Sequence, residues 1–436
     1  MTLSGKHVAI LGVGRSGRAA AALALREGAA VSAWDSAGPE AFGGMPGGVT
    51  VHPNATEADG RAMACDLLVV SPGIDTYGSY VAAFSGQAGE VIGEVELASR
   101  YYSGRIIGIT GTNGKTTTTE LVERILAHAA LGGTACGNYG TPFAEVVLHS
   151  KPPSVVSLEL SSFQLETIRT LHSSVAIWLN FAPDHMDRYP TVEAYRAAKM
   201  RIFETQTAAD TAVIRSGENL QGLVAKIVTF STTDPTADWF SGGRTIEHAG
   251  ETWLDMEGDT GLRGLHNAEN AMAALAACRT LGISRSVMCE ALRAYTPPPH
   301  RCELVRTLDG VEYLNDSKAT NLHALESALR SQTRPVVLIA GGKEKGLDYS
   351  PLLSLLSTHA LAVVTFGQIA RPLATVLSKA VPCESVSSLA DAVATARGLA
   401  PKGSTILLSP GTSSFDQFTG YEQRGNAFRD LVHQLR

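Results

Sequence analysis

Short apolar runs alternate with amphipathic stretches along this chain, and that alternation predicts most of its elements. His7 to Leu11 is apolar, Gly12-Val13-Gly14-Arg15-Ser16-Gly17 forms a glycine-rich turn, an alanine-rich stretch reads as a helix, and Val31 to Trp34 reads as a second strand. Asp66 to Val70 predicts another buried strand, closed by Ser71-Pro72-Gly73, and this first segment fades near Glu94. Arg105 to Thr110 runs into a second glycine-rich turn and helix, and Val155 to Leu160 and Val175 to Asn180 are apolar runs of the kind found in parallel sheets. Pro297-Pro298-Pro299 cannot continue a helix and predicts an extended linker. Beyond it, Val311 to Asn315, Val336 to Ala340, Leu361 to Phe366 and Thr405 to Leu408 read as strands with helical patterns between them, whereas residues 230 to 262 are the least patterned part.

The length of 436 residues agrees with about three domains, which the pattern divides at 1–95, 96–297 and 298–436. Hydrophobic residues at 44% and charged residues at 18% describe an ordinary globular chain and exclude bulk disorder. With 36 basic against 42 acidic residues, the net charge of -6 supplies no global field for nucleic acid or anionic lipid, so neither partner is expected and anionic ligands must be held locally. The 43 glycines exceed the roughly 31 expected at about 7% and point to tight turns or backbone brought close to phosphates. The six cysteines make no C-x-x-C pair, no apolar run approaches a membrane span, and the start lacks an apolar signal core, so a cytoplasmic protein is expected.

Candidate chemistry clusters after the predicted strands, where open parallel sheets bind ligands. Gly12, Gly14 and Gly17 with Asp35 match a dinucleotide fingerprint, and Ser16 and Ser36 add hydroxyl donors; a tight turn with no ligand has the same sequence. Gly108-Ile109-Thr110-Gly111-Thr112-Asn113-Gly114-Lys115-Thr116 reads as a P-loop whose amides cradle phosphate, whose Lys115 neutralises it and whose Thr116 reaches magnesium. It is a variant, because Ile109 stands where the usual spacing has glycine. Glu159 ends a strand where a second magnesium contact is expected, and Ser161 or Ser162 could equally cap the next helix. Asn180 is followed by Asp184-His185-Met186-Asp187-Arg188, with His185 balanced between surface residue and ligand. Tyr195, Ala198, Lys199, Ile202 and Phe203 form one apolar helical stripe, so Lys199 either snorkels or is buried as a reactive amine of depressed pKa. His266, Asn267 and Asn270 open an alanine-rich helix, Arg301 follows the triple proline, and its plainest alternative is an ion pair with Glu303. Three later strand ends, at Asn315 to Asn321, Gly341 to Gly346 and Ser409 to Ser414, supply lysines, hydroxyls and glycines suited to a carboxylate. Together these residues suggest acyl activation: ATP phosphorylates a carboxylate and an amine displaces the phosphate.

At this point the sequence resembles the Mur ligases. The resemblance rests on GITGTNGKT (108–116), LELSSFQLE (158–166), DHMDRYP (184–190), YRAAK (195–199), HNAEN (266–270), His300-Arg301, NDSKATN (315–321), SPGTSSFDQF (409–418) and YEQRGNAF (421–428), and runs from the first turn to the C-terminus. It is strongest toward the branch that adds D-glutamate, through DHMDRYP, NDSKATN and the last two motifs.

The resemblance implies a Rossmann-like N-terminal domain for the UDP-sugar, a central P-loop ATPase-like domain with a mostly parallel sheet, and a Rossmann-like C-terminal domain for the amino acid. It implies ligation of D-glutamate to UDP-N-acetylmuramoyl-L-alanine through an acyl phosphate, in peptidoglycan synthesis, by a monomer. Gly14, Arg15, Ser16, Asp35, Ser36, Gly73, Asn138, Ser161, Gln164 and His185 would bind the UDP-sugar. Gly111, Thr112, Asn113, Gly114, Lys115, Thr116, Thr117, Asn270, Arg301 and Asp316 would bind ATP, and Thr320, Lys345, Ser414 and Tyr421 would bind D-glutamate. Thr116 and Glu159 would hold one magnesium ion, and His185 with a Lys199 carbamate, formed with carbon dioxide, a second; Lys115, Glu159, His185 and Lys199 would be catalytic. Ala37 stands where a basic residue is common, Tyr421 replaces a more familiar phenylalanine, Thr412 a small or cysteine residue, and Ile214-Arg215-Ser216-Gly217 lacks a usual Asn-Ala-Asp-Asp. A dehydrogenase using Gly12, Gly14 and Gly17 for NAD beside a regulatory ATP domain, a P-loop switch protein, and another Mur or folylpolyglutamate-type ligase are the alternatives.

Overall fold

Apolar runs buried on both faces form the centre of each sheet. The computed structural model describes every residue except Met1, Asp187 and Pro297, so the linker expectation at Pro297 and the Asp187 of DHMDRYP lie outside the described residues. The chain divides into two compact units, one of Met1–Gly242, Ile246–Leu254 and Glu269–Ala294, the other of Gly243–Thr245, Asp255–Ala268 and Tyr295–Arg436. Both are α/β, with mostly parallel sheets.

The first unit opens with β1 (His7–Leu11), β2 (Ala30–Trp34), β3 (Thr50–His52), β4 (Cys65–Val70) and β5 (Ala88–Gly93), all parallel, in the order β3-β2-β1-β4-β5. Helices cover both faces, which is why the strands read as unbroken apolar runs: Val8 and Ile10 enter one cluster, Ala9 and Leu11 the other. Gly17 lies in the helix Arg15–Arg26 where a Cβ would stand 1.9 Å from the Gly12 carbonyl oxygen, so glycine lets helix and turn meet.

A nine-stranded sheet follows, of β6 (Arg105–Thr110), β7 (Gly132–Gly137), β8 (Val155–Glu159), β9 (Val175–Trp178), β10 (Thr211–Arg215), β11 (Lys226–Ser231), β12 (Trp239–Phe240), β13 (Thr245–His248) and β14 (Glu251–Asp255), in the order β14-β13-β12-β11-β10-β9-β6-β8-β7. It is parallel from β7 through β12, and β6 lies between β8 and β9. The segment that lacked a sequence pattern supplies β12 to β14, with β12 and β13 antiparallel. Its order comes from aromatic pairing rather than periodic burial: Trp239 stacks on the cross-strand His248 at 4.2 Å and meets Trp253 edge-on at 4.7 Å.

The second unit holds β15 (Glu303–Leu308), β16 (Val311–Asn315), β17 (Val336–Gly341), β18 (Ala360–Phe366), β19 (Cys383–Ser385) and β20 (Thr405–Leu408), in the order β15-β16-β20-β17-β18-β19. Only β15 pairs antiparallel, as a hairpin with β16. In β17, Val336, Leu338 and Ala340 face one apolar cluster and Val337 and Ile339 the other. No helix among the described residues is long and apolar enough to cross a membrane.

One hydrophobic cluster in the first unit runs from Val8, Ile10 and Leu23 through Val95 and Leu97 to Ile106, Phe143 and Trp178, so the first two sheets share a core. Glu94 is buried within this contact. It opens the helix Glu94–Ser99 and accepts a hydrogen bond from the Ala144 amide through Oε1 at 2.6 Å, while Oε2 has no partner. Burial raises its pKa to about 7. The folded state therefore holds a proton that the unfolded chain has lost between about pH 4.5 and 7, and this group's contribution to stability falls as pH rises through that window. Glu94→Gln keeps the acceptor and cannot ionise, so it is expected to unfold in urea at higher concentration than the parent at pH 8, by about 3 kcal/mol at most, and to show a smaller difference at pH 5.

Candidate functional site

The carboxyl end of β6 carries the phosphate-loop sequence and turns it into the helix Lys115–His128. Gly111 has φ +155° and Gly114 φ +85°, and a Cβ on Gly114 would stand 2.2 Å from Asn270 Oδ1, so both the turn and the Asn270 contact require glycine there. No acidic side chain occupies the first turn of this helix, leaving its amide end electropositive. The loop is held by the strand beside it. Asn113 N donates to Asn180 Oδ1 at 3.0 Å, and Asn180 Nδ2 donates back to the Asn113 carbonyl at 3.1 Å. Thr112 N donates to the Asn180 carbonyl, and the Thr112 hydroxyl donates to the Ala182 carbonyl and accepts from the Ala182 amide, all at 3.0 Å. Asn180 thus anchors the loop, a role its position two residues past β9 did not disclose.

Two lysines converge on this loop. Lys115 Nζ donates to the carbonyls of Gly111 (3.0 Å) and Thr112 (2.9 Å), and Lys199 Nζ donates to the same Gly111 carbonyl at 2.8 Å. Lys199 lies on the helix Val192–Met200 and is 2% exposed, its ammonium 4.8 Å from the Tyr195 ring centre. The whole stripe of Tyr195, Ala198, Lys199, Ile202 and Phe203 is buried, which removes the snorkelling alternative. Burial first, then repulsion from Lys115, pushes the Lys199 pKa well below the usual lysine value, against opposing pulls from Asp184 and Glu159.

Glu159, the last residue of β8, sits in register with Ile109 of β6 and Gly137 of β7. It is buried; Oε1 accepts from Asn138 Nδ2 at 2.7 Å and Oε2 has no hydrogen-bond partner. An oriented, orphaned carboxylate oxygen beside a phosphate loop suits a hard cation that takes few protein ligands. Among the described residues no three His, Cys, Asp or Glu side chains gather as a ready metal cluster. His185 has φ +58° and is half-exposed, and its ring meets those of Phe163 and Tyr195 at 4.9 and 5.9 Å.

Other predicted side chains have structural duties. Ser161 caps the helix Ser162–Leu165: its hydroxyl accepts from the Gln164 amide at 3.2 Å, and Gln164 Oε1 accepts from the Ser161 amide at 3.1 Å. Asp35 closes its own loop, accepting from the Val13 amide at 3.0 Å and the Ala37 amide at 2.9 Å. Arg15 donates to the Gly140 carbonyl at 3.2 Å, while Ser16 is partly buried, Gly73 is exposed and Ser36 lies just after β2.

In the second unit Asp316 is buried just after β16 and accepts from the Cys302 amide (3.2 Å) and the Ser409 hydroxyl (2.9 Å); burial raises its pKa to about 7. This places Arg301 beside the Asp316 turn, and Glu303 pairs with Arg429 at 2.8 Å. Lys345 Nζ lies 3.4 Å from the Thr320 carbonyl, Ser414 is buried, and Lys318 Nζ sits 3.9 Å above the Tyr421 ring. Two residues hold these loops together: Asn315, which opened one of the expected strand-end clusters, and Arg424, to which the sequence assigned no role. Fully buried Arg424 donates to the Ser317 hydroxyl (3.0 Å), the Ser317 carbonyl (2.8 Å) and the Thr412 carbonyl (3.3 Å), and Asn315 donates to the Gly425 carbonyl (3.0 Å) and lies 2.9 Å from His300 Nδ1. A basic residue one turn into a helix that follows a strand-end loop was the available signal for Arg424.

A phosphate loop with two lysines and an unpartnered carboxylate oxygen in one α/β unit, and a rim of strand-end hydroxyls and lysines in the other, define a nucleotide-dependent enzyme of the acyl-activating kind. Residues 109–278 match the Mur ligase middle domain and 300–411 the Mur ligase glutamate ligase domain. UDP-N-acetylmuramoylalanine--D-glutamate ligases from Myxococcus xanthus (strain DK1622) and Anaeromyxobacter dehalogenans (strain 2CP-C) are 40% and 39% identical, the first over 100% of both chains, the second over 99% of this chain and 98% of its own. Among solved structures, UDP-N-acetylmuramate-alanine ligase MurC from Thermotoga maritima has the same fold, with TM-score 0.60, 18% identity and coverage of 98% and 99%. MurF ligase from Thermotoga maritima in complex with ADP also gives 0.60 at 18% identity, over 86% of this chain and 97% of that one. The chain belongs to the Mur ligase family.

Loss of the two-way Asn180 clamp frees the Asn113 backbone. Asn180→Ala is expected to raise the KM for ATP about tenfold, a cost of roughly 1.4 kcal/mol, without unfolding the protein by thermal melting. An unchanged KM would remove Asn180 from the loop's support.

Proposed function

We propose that this chain joins D-glutamate to UDP-N-acetylmuramoyl-L-alanine with cleavage of ATP, as the names of its relatives state for them. The observation that carries the reading is the junction at the Gly111 carbonyl, where Lys115 and Lys199 meet beside the unpartnered oxygen of Glu159. The dehydrogenase, the P-loop switch and the folylpolyglutamate-type ligase give way to it, since relatives that match from end to end are named UDP-N-acetylmuramoylalanine--D-glutamate ligases.

The reading divides the chain into three working parts, 1–95, 96–297 and 298–436, with Rossmann-like first and last parts and a P-loop ATPase-like middle. Gly14, Arg15, Ser16, Ser36 and Gly73 hold the UDP-sugar after β1, β2 and β4, and Asp35 shapes that loop while keeping lone pairs for a ribose hydroxyl. Asn138, Ser161, Gln164 and His185 lie toward the muramoyl end, where the Ser161 cap fixes the backbone. The loop amides of 111–117 cradle the ATP phosphates, with Asn270, Arg301 and Asp316 assigned to the nucleotide. Thr320, Lys345, Ser414 and Tyr421 are assigned to D-glutamate.

Lys115 leaves its loop carbonyls for the transferring phosphoryl group. The alanyl carboxylate attacks the γ-phosphorus, ADP leaves, and the D-glutamate amine then attacks the acyl carbon and expels phosphate. Thr116 and Glu159 would hold one magnesium ion, and His185 and Lys199 a second; bound magnesium supplies charge neutralisation at the phosphates. A neutral Lys199 amine adds to carbon dioxide, forming an N–C bond and releasing a proton to solvent, and the resulting carbamate offers the oxygens that a lysine lacks. Its buried position and depressed pKa support that chemistry. The protein is read as a cytoplasmic monomer.

Phosphate release from ATP is expected to require both UDP-N-acetylmuramoyl-L-alanine and D-glutamate, with magnesium present; release with neither, or equal use of L-glutamate, would contradict the assignment. Lys199→Ala is expected to lose at least about a hundredfold in kcat, with partial recovery on adding short carboxylates. Absence of recovery would count against the carbamate and leave the ligase reading standing.

A further inference from the structure

One buried carboxylate in the first unit is used by neither the phosphate loop nor the expected ligand sites. Glu166 follows the helix Ser162–Leu165, and its side chain is 6% exposed. Its Oε1 accepts from the Tyr189 hydroxyl, and its Oε2 accepts from the Thr76 hydroxyl and from Arg188 NH2, the last at 3.0 Å. The donors come from two different sheets: Thr76 lies in the turn after β4, Arg188 and Tyr189 in the segment after β9.

Arg188 strengthens the same junction. Its NH1 donates to the Pro72 carbonyl at 3.2 Å, its Nε lies 3.7 Å from Asp75 Oδ1, and its guanidinium stacks 4.0 Å above the Phe163 ring. Phe163 also packs on Tyr189 at 5.9 Å and on His185 at 4.9 Å, and Tyr77 meets Tyr189 edge-on at 6.2 Å. The turn at 72–77 includes Gly73, and on the other side the His185 carbonyl accepts from the Arg188 and Tyr189 amides at 3.0 Å. The carboxylate therefore bridges the strand-end turn assigned to the UDP-sugar and the turn that presents His185.

We infer that Glu166 is a positioning residue for the UDP-sugar substrate: it fixes the turn of the first sheet that carries Gly73 against the turn of the second that carries His185, setting the span over which the sugar nucleotide is held. This rests on the function proposed above. A carboxylate suits the role because it accepts several charge-assisted bonds at once, whereas a carboxamide in its place would point donor hydrogens at a hydroxyl or guanidinium that also donates.

The test is steady-state kinetics with each substrate varied in turn. Glu166→Gln is expected to raise the KM for UDP-N-acetylmuramoyl-L-alanine roughly tenfold or more, leaving the KM values for ATP and D-glutamate within about twofold. Thr76→Val, which deletes the donor from the first sheet and with it a 3.5 Å acceptor for Arg188, and is the safer variant for folding, should raise the same KM severalfold, and Glu166→Asp should keep more affinity than Glu166→Gln. A uniform rise in all three KM values, a fall in kcat alone, or no change would overturn the inference; if Glu166→Gln fails to fold, Thr76→Val decides by the same criteria. A parent enzyme inactive with these substrates would instead sink the ligase reading, so the two failures are distinguishable.

Discussion

Two lysine nitrogens donate to one carbonyl oxygen, that of Gly111, and much of the site follows from that crowding. Two ammonium groups so placed repel each other, and one of them is buried. The protein can relieve the repulsion by leaving Lys199 uncharged or by bringing in negative charge. The depressed pKa of Lys199 is the first route, and an incoming polyphosphate that draws Lys115 off its carbonyls is the second. The same geometry leaves Lys199 buried with a depressed pKa next to Lys115, and one Glu159 oxygen without a hydrogen-bond partner.

The arrangement also answers how a chain of net charge -6 can handle several anions. Positive potential is concentrated where parallel strands end, by glycine turns that expose amides, by a helix start free of acidic residues and by a few fixed lysines. In the second unit, buried Arg424 ties Ser317 to Thr412 from inside, holding two of the strand-end loops together. Magnitudes favour such local devices, because a charge in a partly desolvated pocket acts far more strongly than one on the open surface.

The sequence disclosed the strands well where both faces are covered, since double burial writes an uninterrupted apolar run; β1, β6, β16 and β20 fall on the residues expected. It also pointed to Lys199, because a charge on an apolar stripe is a local anomaly. The ribbon of β12 to β14 escaped because Trp239, His248 and Trp253 cohere through a few cross-strand contacts that leave no periodic trace. Asn180 and Arg188, noticed after a strand, and Glu166 and Arg424, lying inside motifs, did not disclose their structural roles for another reason. Their partners lie far away in sequence, as when Arg424 reaches Ser317 or Arg188 reaches Pro72, and only the topology brings them together. Asp35, Ser161 and Gln164 show the converse, for residues noticed as candidate ligands also close a loop or cap a helix. A strand-end residue that bonds its own backbone shapes the site whatever else it touches.

The central claim is that the substrate's carboxylate, and not water, takes the phosphoryl group held over the Lys115 loop. Its most direct test is isotope transfer during turnover with UDP-N-acetylmuramoyl-L-alanine labelled with oxygen-18 in the alanyl carboxylate. The account predicts that the phosphate released on D-glutamate addition carries one labelled oxygen, the other remaining in the new amide. Unlabelled phosphate, or label found in AMP, would contradict it.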